Sequence, residues 1–260
     1  MRRRSYRRLT LRQAMLMLYL LAAVALTGCA GDTPNRTAEE TFELATAGLM
    51  ATDRYRFEVN IGTATGGSAI RDYAAYEGEV QGHTKLLVKQ TGEKRMHPVA
   101  AANHKAADAG IYHPAERMRE LERLEKSVSY GRTVEGERTW LLDLRLSDKA
   151  AKADTAARLQ RDLDRVAKSS TQNVSKQQGK EGAAYREKLD KEIADSYREL
   201  EQIIKTLEVE TEIHMTVDRQ TLRPVQLEER SVMHYVMNGR QQQETRVAAV
   251  RFSGYDSSPG

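Results

Sequence analysis

Few residues in this chain could do chemistry, and most are spaced in ways that argue against it. Cys29 is the only cysteine, so an internal disulfide is excluded and its thiol is left as an acceptor for something else. Of the six histidines, His97, His104 and His113 share one stretch at spacings of seven and nine residues. No cysteine and no His-x-x-x-His pattern accompanies them, so they read as solvated loop residues rather than zinc ligands. His214 and His234 fall in alternating strands. Pairing across each turn should set His214 near Pro224 and Val225, and His234 near Gln243, so the two do not meet. Glu208, Glu210 and Glu212 alternate on one strand face and read as a solvated, aggregation-resistant surface rather than an acid–base pair. The Gly62–Gly67 stretch lacks the lysine and following helix of a phosphate loop, and no nucleophile elbow is present. No catalytic residue, metal or cofactor is expected.

The surroundings of Cys29 say what its thiol is for. Residues 1–13 carry six arginines and no acid, and residues 14–26 (AMLMLYLLAAVAL) are uncharged and almost wholly apolar. These are the two parts of an export signal. Thirteen apolar residues are too few to span a hydrocarbon core, which needs roughly 20. Leu26-Thr27-Gly28-Cys29 resembles the lipobox of bacterial lipoprotein precursors. That resemblance implies cleavage before Cys29 and an acyl-bearing, palmitate-type anchor on its sulfur. The competing reading is an ordinary leader cut after Ala23-Val24-Ala25. Two or three chains hold a protein at a membrane stably, each buried methylene adding about 0.8 kcal/mol. The expected organisation is a signal peptide over 1–28, a lipidated tether over 29–37, and one domain over 38–260. The expected location is extracytoplasmic, at the cell membrane.

The formal charge of +4 misleads. Removing the leader's six arginines from 41 basic residues leaves 35, against 37 acids. A nucleic-acid partner is therefore excluded, since phosphate binding needs a net positive footprint.

Periodicity supplies the scaffold. Thr37-Ala38-Glu39-Glu40 has capping-box form and opens a helix of about 38–51 with Phe42, Ala45 and Leu49 on one face. Tyr55, Phe57, Val59 and Ile61 alternate with polar residues and predict a half-buried strand, ended by a turn at 62–68. Strands near 69–81 and 83–90 follow, then a loop over 91–112. Pro114 starts a helix carrying Met118, Leu121, Leu124 and Val128. Strands near 127–134 and 138–146 come next. Ser147 caps a helix of 148–168 with Ala156, Leu159, Leu163 and Val166 as its stripe. Residues 169–182 (SSTQNVSKQQGKEG) predict a polar loop and candidate hinge. A helix of 183–207 with Tyr185, Leu189, Ile193, Leu200 and Leu207 completes a hairpin over the sheet. The last fifty residues predict a meander of 208–217, 222–237 and 240–252, the final turn marked by Asn238-Gly239. The fold class is α+β: a curved antiparallel sheet, an incomplete barrel, with helices over one face.

Tyr55, Phe57, Tyr76, Trp140, Met215, Met233, Tyr235 and Met237 are expected to line the inner face of that sheet. Methionine adapts to irregular guests, and tyrosine offers an apolar body with a polar tip. They either pack against the helices or enclose a ligand. The order of elements, together with Asp218-Arg219-Gln220-Thr221-Leu222-Arg223-Pro224 between late strands, is similar to the half-barrel lipoproteins. That superfamily includes the periplasmic lipoprotein carrier and the mycobacterial lipid-binding lipoproteins. The resemblance implies an apolar hollow for acyl chains and a non-catalytic lipid- or amphiphile-binding role. A protein partner in the envelope, met through the helical hairpin or used to sense stress, is the other expectation, because folds of one kind serve several functions.

Overall fold

The computed structural model describes residues 35–66, 68, 70, 72–82, 85–90, 112–132, 137–175 and 180–256. The leader, Cys29, His83, His97 and His104 lie outside these residues. The chain divides into two compact units, Met1–Arg36 and Thr37–Gly260, and every described helix and strand belongs to the second.

The elements run α1 (Ala38–Met50), β1 (Arg54–Thr65), β2 (Asp72–Gln81), β3 (Lys85–Gln90), α2 (Pro114–Arg123), β4 (Lys126–Tyr130), β5 (Thr139–Leu146), α3 (Asp148–Ser175), α4 (Lys180–Thr206), β6 (Glu208–Asp218), β7 (Pro224–Met237) and β8 (Arg240–Ser253). The strands form one sheet in the order β3-β2-β1-β8-β7-β6-β5-β4, antiparallel throughout and unclosed. This is the α+β incomplete barrel the alternation predicts.

β3 and β4 are the two edge strands of the sheet, and α2, which lies between them in the chain, reaches the central strand β7 through Arg117 and Glu229. The N-terminal part of α3 covers β5 and β6, and α4 packs on β7.

Local sequence explains most boundaries. Thr37 and Glu40 form the reciprocal capping box, and Ser147 caps α3 through the Ala150 amide. Asn238 and Gly239 both take positive φ, 53° and 73°, as a tight hairpin of this kind requires.

Besides the helix from Pro114, which ends at Arg123 and leaves Val128 on β4, three expectations need correction. First, β1 continues through the expected turn to Thr65, because Gly62 and Thr63 pair with neighbours on both sides and Ala64 and Thr65 with β8; the turn waits for Gly66, at φ 62°. Second, α3 runs through Ser175 and α4 starts at Lys180, so most of the expected loop is helix. That stretch holds no glycine or proline before Gly179, and the Ser169 and Thr171 hydroxyls donate to the carbonyls of Val166 and Ala167, leaving the backbone ladder intact. Third, His214 pairs with Glu228 rather than Pro224 or Val225. The loop before β7 is longer than a tight turn, and a bulge at Thr216/Val217 shifts the register again. His234 does face Gln243.

The interior has a layered pattern. One row across seven strands reads Tyr130, Leu142, Met215, Leu227, Val250, Val59, Tyr76. From α1, Phe42, Ala45 and Leu49 complete the apolar cluster, with Met118 and Leu121 from α2. Two residues along each strand the next row reads Val128, Leu144, Ile213, Glu229, Ala248, Ile61, Ala74. The row beyond contains Thr211, Ser231, Arg246 and Thr63. Moving along the strands, the inner face passes from apolar through a band holding Glu229, Ser231 and Arg246, and turns apolar again at Val209 and Met233.

Candidate functional site

At the polar end a carboxylate rises from the middle of the sheet. Glu229 is 3% exposed, set between Leu227 and Ser231 on the inward parity of β7. An ionised carboxylate there is prohibitively costly without partners. Arg117, from α2, supplies them. Its Nε and one terminal nitrogen donate to the two Glu229 oxygens at 2.8 and 2.9 Å. Its terminal nitrogens also donate to the Asp154 oxygens on α3 at 3.0 and 2.9 Å. Arg158, one turn further along α3, reaches Glu229 at 2.9 Å and Asp154 at 3.2 Å. Two guanidiniums and two carboxylates thus form a neutral buried clamp joining sheet, α2 and α3. Glu120 and Arg161 extend it toward solvent.

The charges respond as this geometry demands. Burial pushes the Glu229 carboxyl upward, but the guanidiniums of Arg158 and Arg117 outweigh it and hold the group at about 2. Burial opposes the charge on Arg117, and Glu229 and Asp154 outweigh it too, holding its proton above the usual range. Tyr112, Tyr55 and Tyr76 are all raised, foremost by burial. Against Tyr112 the Glu229 charge adds to burial, and the Arg117 and Arg158 charges oppose it.

Several polar atoms in this interior are unanswered. The hydroxyls of Tyr55, Tyr112 and Thr155, the Trp140 indole nitrogen and Arg158 Nε are buried with no hydrogen-bond partner among the described residues. By contrast, Thr211 and Ser231 bond each other at 3.0 Å, and Tyr76 donates to the Tyr112 carbonyl at 3.0 Å.

The eight residues expected to line the inner face separate. Tyr55, Phe57, Tyr76, Met215 and Met233 are buried together in the core cluster. Tyr55 packs with Phe57, Phe252 and Tyr255 at ring separations of 6.1–6.2 Å, and Phe57 meets Tyr76 edge-on at 6.5 Å. Trp140 is half-buried at the β5 end, edge-on to Tyr130, with the Arg219 guanidinium 5.8 Å above its ring. Tyr235 is half-buried and interacts with Glu244, while Met237 stands at the hairpin end opposite Arg240.

His113 caps α2, its Nδ1 accepting from the Glu116 amide. His214 meets Asp143 at 2.6 Å on the outer face of the sheet. Among the described residues no group of three or more potential ligands could hold a metal ion. A separate hollow of about 480 Å³ over β1–β3 is walled largely by ionised side chains, including Arg56, Glu58, Glu77, Glu79 and Lys89.

The clamp was missed in the sequence, although a trace of it was present. Glu229 shares the parity of Leu227, Met233 and Tyr235, so strict alternation already put a carboxylate inside. Asp154 and Arg158 stand four apart on α3, beyond Ala150 and Ala151. Those alanines, with Asp154 and Thr155, are the buried face at that end. The expected stripe of Ala156, Leu159, Leu163 and Val166 is only half-buried or exposed.

No family model matches the chain, and no curated protein matches it. Among solved structures it is similar to a LolA superfamily protein from Nitrosomonas europaea, at 11% identity and a TM-score of 0.25, covering 86% of this chain and 96% of that one.

Proposed function

We propose that this chain is a non-catalytic, membrane-anchored lipoprotein of the extracytoplasmic face that binds an amphiphile between sheet and helices. The observation that carries the reading is the local gradient from the central apolar row to the Ser231 row, before Val209 and Met233 turn apolar again. An apolar row bounded by aromatic and methionine side chains passes into a row holding Glu229, then into Thr211, Ser231, Arg246 and Thr63. A uniform apolar core would need no such gradient. An acyl chain lying along it would meet Met215, Leu227 and Tyr76 at one end, and its head would meet hydroxyls and guanidiniums at the other. The anchor through Cys29 would fix the binder at the membrane from which such molecules come.

Native mass spectrometry after gentle extraction tests this. The expected result is a co-purifying mass in the range of a lipid or fatty acid. Ala74, partly buried in the Glu229 row, offers a selective lesion. Ala74→Trp should reduce the bound fraction while the fold survives. Protein that is repeatedly free of any guest would defeat the proposal.

A second reading has its own observation. Between Ala156 and Glu199 no described side chain of the α3–α4 hairpin is buried, and Val166 and Tyr185 are 59% and 52% exposed. An envelope protein docking on this hairpin would cover them. Crosslinking from either position should then recover one dominant partner.

A further inference from the structure

The clamp has an imbalance that defines what it would accept. Every oxygen of Glu229 and Asp154 already accepts from a guanidinium. What remains open in the same network is donors. Arg158 Nε can only donate. The Thr155 hydroxyl lies one turn before it on α3, and Tyr112 stands just ahead of α2, which carries Arg117, with its carbonyl accepting from the Tyr76 hydroxyl at 3.0 Å. All three are buried and unpartnered among the described residues. In a dry interior an open donor is costly, so three around one cluster amount to a missing acceptor.

The sign of that acceptor follows from Arg246. The four-membered clamp is neutral, but Arg246 stands on the same inner face, directly across from Ser231. Its charge reaches Tyr76, whose hydroxyl bonds the Tyr112 carbonyl. Among the described residues no carboxylate lies within ion-pair distance of Arg246. A site with spare donors and a spare cation nearby favours negative charge on oxygen and disfavours an amine.

We infer that Tyr112, Thr155, Arg158 and Arg246 form a subsite for an anionic oxygen group, a carboxylate or phosphate. This rests on the amphiphile reading above and gives the amphiphile an acidic head. Chain-length and apolar fit would come from the row through Met215 and Tyr76, and head-group selection from these four donors.

The test uses the full chain held in zwitterionic nanodiscs, with empty nanodiscs subtracted, and titration calorimetry with decanoate, decan-1-ol and inorganic phosphate. Decanoate should bind at least tenfold more tightly than the alcohol. Tyr112→Phe and Thr155→Val should each weaken decanoate severalfold and leave the alcohol unchanged, while raising the midpoint of thermal unfolding of the guest-free protein. That opposed pair of effects is not expected of hydroxyls that merely hold the fold together. Arg246→Gln, at the partly exposed rim, should weaken decanoate and flatten its salt dependence, with no demand on the buried network. Phosphate binding with the same sensitivity, and no amphiphile binding, would support the anion subsite while removing the amphiphile reading. Amphiphiles bound without preference for the acid would leave the amphiphile reading standing and overturn the subsite. So would decanoate affinity untouched by Tyr112→Phe and Thr155→Val, which would mean that water serves those donors. Binding of no probe at all would overturn both.

Discussion

Replacing Glu229 by glutamine should be among the most damaging single substitutions in the domain, and its damage should depend on pH. The carboxylate is 3% exposed and accepts three guanidinium hydrogen bonds, at 2.8, 2.9 and 2.9 Å. The amide keeps the volume but leaves Arg117 and Arg158 to share Asp154 alone, an uncompensated buried positive charge. Breaking a buried pair in this way costs about 3–5 kcal/mol. The proton linkage gives an independent figure. Each pKa unit is about 1.4 kcal/mol, so a carboxyl held at about 2 instead of 4.5 contributes about 3 kcal/mol at neutral pH. Because the folded-state value is depressed, that contribution is complete above pH 4.5 and is lost as the pH falls toward 2. Equilibrium urea unfolding at a series of pH values reads both effects. Wild type should lose stability steeply below pH 4.5, whereas Glu229→Gln should start low and lack this component of the acid limb. Arg117→Met combined with Glu229→Leu should recover most of the loss, since Arg158 and Asp154 remain a neutral pair. A loss below about 1 kcal/mol at pH 7, or an acid limb unchanged in the variant, would refute the clamp as described.

Three further outcomes follow from other parts of the molecule. A Cβ on Gly78 would sit 2.1 Å from the Phe57 ring, so Gly78→Ala must displace a buried aromatic and should cost about 1–3 kcal/mol in chemical denaturation. Asp218 accepts from the Gln220 and Thr221 amides and the Thr221 hydroxyl, fixing the β6–β7 loop, so Asp218→Ala should lower stability by roughly 1 kcal/mol in the same assay. Cys29→Ser should leave an unprocessed precursor or release protein into the medium, read by pulse-chase and membrane fractionation; unchanged processing and anchoring would end the lipoprotein proposal.

What the sequence disclosed and what it hid differ in range. Capping at Thr37, alternation from Tyr55 to Ile61 and the Asn238-Gly239 turn are local, and periodicity alone located them. The β6–β7 register depended on a bulge at Thr216/Val217 that no turn residue announces. The continuation of α3 to Ser175 was hidden because serine, threonine and asparagine read as loop, although serine and threonine hydroxyls can also be absorbed by a helix. The clamp was the least legible feature. Glu229 shares the alternation of Met233 and Tyr235 but was not singled out, and its partners lie 112 and 71 residues away on helices that only the fold brings to it. Likewise the expected lining set was right in parity along each strand but blind to position. Tyr55 and Met215 are fully buried in the core, whereas Trp140 and Met237 are only half-buried toward strand ends.

Photo-crosslinking with a diazirine-bearing fatty acid, followed by peptide mapping, addresses the occupant of the interior most directly. Adducts are expected on inward residues of β6 and β7, Met215 and Leu227 foremost, suppressed by excess decanoate and reduced in Ala74→Trp. Adducts confined to the outer face around Leu87, or to the α3–α4 hairpin around Val166 and Tyr185, would contradict the amphiphile reading.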